Sequence, residues 1–530
     1  MNSPRLSIII VGHHPFVSPS AGEETTAEEQ DFFETLSETW LPLAELFGEL
    51  EREKLLFRFG IVLSPTLCAM WKNAALMEKY LRWLDRRVVF GERELRRCAG
   101  DEKLLPLAER YYRRDCRRRA VLSEQYGMDL LDVFGEFCRR GRLEPLLTAA
   151  TNAFLPFYVS MDEAIRAQVE TAIIHHRKYL GRVPSGFWLP GLGWSAELGA
   201  ILQKYNFAYT VADAHGLVLA RPPAEKGAFF PVKTPEGFTV FGRDVIAGRD
   251  MAELAAERAG VFQSRCLDAG FELPPRALGD VLGLERCRRA TGYRYWTGDK
   301  GGRRPYSPQA AEEAAEKAAA AFVDRLNVRL GEARRYMEEN PLSVWTVDAD
   351  ALGYSWHEGP VFLAALVREA ARRGPRLCTP MEYLGEIPSP APEKTEFGFS
   401  SALENGYGEM LLDASNDWIY RHLFRSIQRM AELTERFSGD SGLKERALNQ
   451  AGRELLIAQS MDWSLPLNPR YQGRTSRDRA EQELEGALRN FTTIYEALGS
   501  NHISTEWLTA LERRHSLLPA INHRVFGRKR

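Results

Sequence analysis

Short apolar runs rich in β-branched residues alternate with long helical patterns over the first two-thirds of the chain. The runs predict strands over Ser7–Val11, Phe57–Leu63, Gly186–Leu189, Ala208–Ala212, Phe238–Phe241 and Val344–Val347. Helices are predicted between them, over Asp31–Glu53, Asp162–Leu180 and the Ala-rich Pro308–Arg329. Strands bracketed by helices of this length favour parallel βαβ units, and hence an α/β sheet or barrel. Barrel enzymes keep their chemistry at the C-terminal ends of the strands. That rule singles out His13, Pro190 to Trp194, Asp213 to His215, Arg243 and Asp348.

The pattern changes late in the chain. Three prolines within Ile387–Lys394 discourage regular structure and mark a boundary loop. Beyond Asn416 the apolar positions fall at steps of three and four, as in Ile419, Leu423, Ile427, Met430 and Leu433. Ala480, Leu484, Leu488, Phe491, Ile494 and Leu498 repeat the stripe, and Asn416–Asp417 is the expected N-cap. The reading is an α/β part over residues 1–395 and an all-α part over residues 396–530.

Composition narrows the class. The chain has 530 residues, 70 basic and 72 acidic, for a formal net charge of -2. That balance argues against a nucleic-acid binder. No apolar stretch is long enough to span a membrane, and Met1 to Val17 lacks the basic start and cleavage site of a secretion signal. The expectation is a cytoplasmic protein. Seven cysteines, none in a CxxC pair, read as reduced structural thiols.

Motif searches mostly exclude. HExxH, GxxxxGK[ST], GxSxG and a well-placed GxGxxG are absent. The His13–His14 and His175–His176 pairs are adjacent, which does not suit a two-ligand site on one face of a strand. They read as isolated roles or surface residues, so neither a metal nor another cofactor is expected. Arg113, Arg114 and Arg117–Arg119 read as a solvated helix face.

Two segments carry candidate chemistry. Ser185–Trp194 is a strand ending in Pro190 and two glycines; Ser343–Pro360 is a strand that delivers Asp348 and Asp350 to its C-terminal end beside aromatics. A carboxyl group so placed can protonate a glycosidic oxygen while aromatic faces stack on sugar rings. Asp348 reads equally as an N-cap for a helix starting near Glu358 or Gly359.

The order of short motifs is specific where no single one is. His13-His14-Pro15-Phe16-Val17 comes first, then Phe154-Leu155-Pro156, Gly186-Phe187-Trp188-Leu189-Pro190 and Phe241-Gly242-Arg243-Asp244. Asp348 through Pro360 follows, and then Asn416 through Leu423, Arg446 through Gln450 and Asp462-Trp463. In this order the chain resembles glycoside hydrolase family 57, and within it the α-1,4-glucan branching enzymes. The resemblance implies an incomplete (β/α)7 barrel with helical insertions, followed by the all-α domain. It also implies a retaining, metal-independent mechanism on α-glucans, with Asp348 at the acid/base position and His13, Trp188, Arg243 and Trp356 at substrate-binding positions. The family's nucleophilic Glu follows the Trp-Leu-Pro directly, and here that place is Gly191.

Other departures collect at the same site. Asn152 and Tyr354 stand where His is usual, and Ser355 where Trp is usual. The Ser-Ser-Trp-Gly motif reads Ser400-Ser401-Ala402-Leu403, a later Trp is Leu411, and the Gly-Tyr-Pro-Gly-Asp segment after Asp244 is not recognisable. Three readings stay open. The chain is a degenerate relative that binds an α-glucan or a protein partner; or an active branching enzyme with a recruited carboxylate such as Glu197; or it runs other chemistry with Asp348, Asp350, His13 and His215. Residue by residue, His13 could hydrogen-bond across the barrel mouth, and Trp188 and Trp356 could be core. Asp213 and His215 could orient a loop, and Asp350 and Glu358 could cap or bridge locally.

Overall fold

Ile8, Ile9 and Ile10 are all fully buried, as expected of a parallel strand covered on both faces. They belong to β1 (Arg5–Gly12), the central strand of the computed structural model, which describes residues 3–22, 24–279, 288–297, 302–387 and 392–528. The remaining strands are β2 (Phe59–Leu63), β3 (Leu143–Leu147), β4 (Gly186–Phe187), β5 (Tyr209–Ala212), β6 (Val232–Lys233), β7 (Thr239–Gly242), β8 (Cys266–Asp268), β9 (Arg294–Thr297), β10 (Leu342–Asp348) and β11 (Arg376–Leu377).

Seven of them run parallel in the order β10-β1-β2-β3-β4-β5-β7, with β6 antiparallel on β7 and β11 beside the start of β1. The register of β1 and β10 pairs Arg5 with Leu342 and ends at Val11 and Asp348, so Asp348 emerges two residues before the level of His13. The barrel stays open between β7 and β10, where a backbone bond from Asp244 N to Val344 O (2.8 Å) stands in place of a ladder. This is the expected incomplete (β/α)7 barrel.

The strand side chains divide between two cores. Ile9, Val62, Leu146, Tyr209, Phe241 and Val344 fill the barrel interior. Ile8, Ile10 and Ile61 face the outer helices. The Ala-rich helix runs Pro308–Ala333, and its Phe322 packs on Trp345 and Phe362. Helix Asp162–Leu180 has the expected bounds, but His175 and His176 are buried in it rather than on the surface.

Helical insertions thicken one side of the barrel. Ala74–Cys98 and Leu105–Ala120 pack together, and the antiparallel β8–β9 pair lies on them through contacts among Tyr111, Tyr293 and Tyr295. The arginine cluster on Leu105–Ala120 is therefore not one solvated face. Arg118 turns inward to bind Glu38, and Arg114 lies against Asp115, while Arg113, Arg117 and Arg119 form exposed pairs.

The C-terminal region is all-α, with helices Trp418–Arg436, Leu443–Ala458, Arg477–Gly499 and Thr505–Arg514. Of the expected cap pair, Asp417 stands at the N-cap position of Trp418–Arg436 without a side-chain cap bond, and Asn416 is not a cap. It is buried, donating to Met410 O (2.8 Å) and Ser464 O (3.2 Å) and clamping two loops together. Cys287 and residues 388–391 of the Pro-rich loop lie outside the described residues. No described helix is long and apolar enough to cross a membrane.

Candidate active-site cleft

A cleft of about 510 Å³ opens at the C-terminal ends of the strands. His13, Trp188, Gly191, Arg243 and Asp348 all line it, although they come from four different strand ends. Asp348 is the last residue of β10, and its side chain is exposed into the cleft. It starts a short turn, Ala349–Leu352, but makes no capping hydrogen bond. Desolvation and the neighbouring Asp350 push its carboxyl above the ordinary range, against the pull of Arg243, His13 and Arg474. Among the described residues no group hydrogen-bonds this carboxyl, which leaves it able to hold and donate a proton.

Asp350 and Glu358 make distant contacts rather than local ones. Asp350 pairs with Arg474, which also binds Asp31 (3.2 Å) and stacks over Tyr354 at 3.8 Å. Glu358 accepts from Tyr306 OH (2.8 Å) and from Gln263 N (2.9 Å).

His13 is held at both ring nitrogens. Nδ1 lies 2.9 Å from Ser64 Oγ, and Nε2 lies 2.8 Å from Asp462. The neutral tautomer that satisfies both donates from Nε2 and accepts at Nδ1. Ser64 itself caps the helix Pro65–Trp71 that follows β2. Asp462 also accepts from Asn152 Nδ2 (2.8 Å) and Ser460 Oγ (2.8 Å). Burial pushes this carboxyl up, but His13, Asn152 and Ser460 together hold it below its ordinary value. Asp462 and Arg474 are the site residues that sequence reasoning missed. Asp462 was legible only as part of the Asp462-Trp463 motif of the C-terminal region.

Arg243 pairs with Asp213, which caps helix Ala214–Val218 and lies 2.9 Å from His215 Nδ1. His215 Nε2 reaches Gly406 O (3.0 Å), so this trio ties the loop after β5 to the segment 400–408. Trp356 does not line the cleft. It is buried behind the Asp348 loop, with its ring 5.2 Å from both Phe262 and Phe362. Glu197 lies in the first turn of helix Ala196–Gln203 with an exposed side chain, and it does not line the cleft either.

The Gly191 position lines the cleft and is crowded on one side by Leu403. Its φ of 59° is left-handed, which favours glycine. Segment 400–406 is bound along the turn that holds it: Trp194 N donates to Ser400 O (2.8 Å) and Ala402 N to Gly191 O (2.8 Å). That pairing delivers Leu403, whose Cδ1 would stand 3.3 Å from a Cβ at position 191. Leu411, at another Trp position, is buried in a small cluster with Phe154 and Met461. No group of three or more metal-binding side chains occurs among the described residues.

Comparison with known proteins agrees with this geometry. Residues 7–250 match glycosyl hydrolase family 57, and residues 422–526 match the family described as 1,4-alpha-glucan branching enzyme, C-terminal. The 1,4-alpha-glucan branching enzyme TK1436 of Thermococcus kodakarensis is 25% identical over 482 residues, covering 86% of this chain and 69% of the relative. The α-amylase AmyC of Thermotoga maritima has the same fold, with a TM-score of 0.91 and 27% identity over the full length of both chains. The family 57 branching enzyme of Pyrococcus horikoshii superposes with a TM-score of 0.87 at 21% identity, over 100% of this chain and 98% of its own. The chain thus combines a glycosyl hydrolase family 57 domain over residues 7–250 with a C-terminal region of the 1,4-alpha-glucan branching enzyme kind over residues 422–526.

Proposed function

We propose that this protein is an α-glucan-binding member of its family in which the double displacement has been lost. The observation that carries the reading is a reciprocal exchange of volume. Where the family has Glu and the Gly of Ser-Ser-Trp-Gly, this chain has Gly191 and Leu403, and the Leu403 side chain packs where the Glu side chain would begin. A retaining glycosidase needs its two carboxyl groups about 5–5.5 Å apart. Here the Leu403 side chain crowds the start of one of those places. Asp348 and Asp350 are the carboxylates that line the cleft, and Asp350 is committed to Arg474.

Two features support retained binding. The cleft has a volume of about 510 Å³, with His13, Trp188 and Arg243 on its walls, each fixed by packing or hydrogen bonds. The named relatives include both an α-amylase and branching enzymes, so the glucan is the part they share.

A second reading rests on Asp348. Its unpaired carboxyl, with a raised pKa, is suited to general-acid catalysis of direct attack by water. Both readings are tested by one long incubation with amylose, following iodine staining, new reducing ends and debranched chain lengths, with Asp348→Asn in parallel. Binding is followed by affinity electrophoresis in gels containing amylose or glycogen. Retardation without turnover is the expected result. Turnover that disappears in Asp348→Asn would establish the acid-catalysed reading, and absence of both would refute glucan binding.

A further inference from the structure

The C-terminal region meets the cleft along one arc of the barrel rim. Asp462 holds His13 after β1 (2.8 Å) and Asn152 after β3 (2.8 Å), and Met461 N donates to Asn152 O (3.2 Å). An irregular loop, 468–476, then joins the turn Leu465–Leu467 to helix Arg477–Gly499.

This loop is tied to both walls of the cleft. Asn468 Nδ2 donates to Asp413 Oδ2 (2.7 Å), and Arg470 pairs with Glu404 (2.8 Å), the neighbour of cleft-lining Leu403. Farther along, Arg474 pairs with Asp350 on the opposite wall and with Asp31 (3.2 Å), and it donates to Thr35 Oγ1 (2.9 Å). One anchor is thus at the loop after β10, the other at the segment bound along the turn after β4. In strand order β1, β2 and β3 end between them. The loop is a strap along that arc, and together with Met461 and Asp462 it closes that side of the cleft.

The remaining arc carries no such strap. There Arg243 lines the cleft and is tied through Asp213 to His215, whose Nε2 lies 3.0 Å from Gly406 O. Among the described residues no hydrogen bond joins residues 213–243 to residues 348–358. Tyr407, with its ring 5.4 Å from that of His215, is 48% exposed here. Its face is a rigid apolar surface on which the C–H side of a glucose ring can rest.

A cleft closed along one arc and open along the other receives a polymer end-on. We propose that this cleft takes an α-glucan by a free chain end, which stops against the strap while the rest of the chain leaves past Arg243 and over Tyr407. The inference rests on the glucan-binding reading above and adds how the chain lies. Threading an interior stretch through the cleft would displace the strap and break the Arg470 and Arg474 pairs together with the Asn468 bond.

The test compares linear amylodextrin with a large, flexible cyclic α-glucan of matched length, by titration calorimetry on the full-length protein. The two ligands share rings and linkages, but the cyclic one has no ends. Wild type should bind the cyclic glucan at least about tenfold more weakly than the linear one. Arg470→Gly/Gln472→Gly, at two exposed positions, cuts the tie to Glu404 and loosens the strap. That variant should bind the two glucans within about threefold of each other. Should it melt early, Glu404→Gln cuts the same tie from the other side. Tyr407→Ser should weaken amylodextrin about three- to tenfold, a loss that grows with chain length from maltose upward. Equal binding of cyclic and linear glucans by wild type would overturn the proposal and leave glucan binding standing. So would undiminished discrimination once the strap is loosened, or no loss at any length in Tyr407→Ser. Failure of linear amylodextrin to bind would refute the glucan-binding reading itself, and this one with it.

Discussion

Restoring the missing carboxylate is the most direct way to challenge the exchange between Gly191 and Leu403. Gly191→Glu alone should destabilise the protein and stay inactive. A side chain in the left-handed region costs about 1–2 kcal/mol. Its Cβ would also meet Leu403 Cδ1 and Cγ at 3.3 and 3.4 Å, and overpacking of this kind adds about 1–3 kcal/mol. The sum is about 2–5 kcal/mol. Leu403→Gly removes the packing part but not the backbone part. The double variant should therefore recover about 1–3 kcal/mol relative to the sum of the singles, a coupling within the range seen for touching residues. The measurement is a double-mutant cycle by urea unfolding. Each variant is also incubated with an activated fluorinated glucosyl donor, and the intact mass is followed for a covalent adduct. Only the double variant should gain the adduct. Additive stabilities within about 0.5 kcal/mol would show that the two positions do not compete for one volume, and would refute the reasoning.

The raised pKa of Asp348 means that ionisation opposes folding. The cost is absent below the unfolded value of about 3.9, grows between it and the raised folded value and is complete above that, so Asp348→Asn should melt higher than wild type at pH 7 and level with it near pH 3. Asp462 has the opposite sign. Its depressed pKa contributes stability above the unfolded value of about 3.9, and that stability is lost as pH falls through the folded value. Asp462→Asn should therefore be less stable than wild type at pH 7, with the gap closing on acid titration. Trp356→Ala should cost about 3–5 kcal/mol in chemical unfolding as a core truncation, whereas Trp356→Phe should leave amylose retardation unchanged; loss of retardation by the Phe variant would place Trp356 in the cleft after all.

Much of the barrel was legible because its strands are buried on both faces and read as unbroken β-branched runs. β3 was not. Its residues Leu143–Leu147 include Glu144 and Pro145, which disguise a strand that pairs with β2 and β4. The strands of the β8–β9 pair are too short and too far apart in sequence to stand out, and their support comes from Tyr111, farther still. At the site, the residues that follow strands were legible through barrel geometry. Asp462 and Arg474 were not, because they arrive by docking of the C-terminal region, and periodicity does not say which loop meets which barrel rim. Leu403 could be seen as a departure, but that it fills the place beside Gly191 depends on the pairing of Trp194 with Ser400. The inward turn of Arg118 depends likewise on where Glu38 lies in the fold.

The case against a recruited nucleophile rests on how firmly the wall carrying Asp348 is fixed. A Cβ at Gly353 would lie 2.1 Å from Glu38 O, so the loop packs backbone against backbone there. Tyr354 N donates to Thr39 Oγ1 (3.0 Å), and Ser355 N closes the turn on Asp350 O (2.8 Å). Arg474 holds the outer side through Asp350 and Asp31, and Glu358 anchors the far end on Tyr306. Asp350 is the carboxylate nearest in sequence to Asp348, and moving it toward a substrate means leaving Arg474. Exposed ion pairs are worth about 0–1 kcal/mol, whereas breaking buried ones costs about 3–5 kcal/mol; this half-buried pair falls between. That cost would recur in every catalytic cycle, on top of freeing a loop held from both sides. A native Glu at position 191 would need no such movement, since the turn after β4 already points into the cleft. The fold thus fixes the turn that carries Gly191, sets Leu403 against it, and leaves the two cleft carboxylates either unpartnered, as Asp348, or tied down, as Asp350.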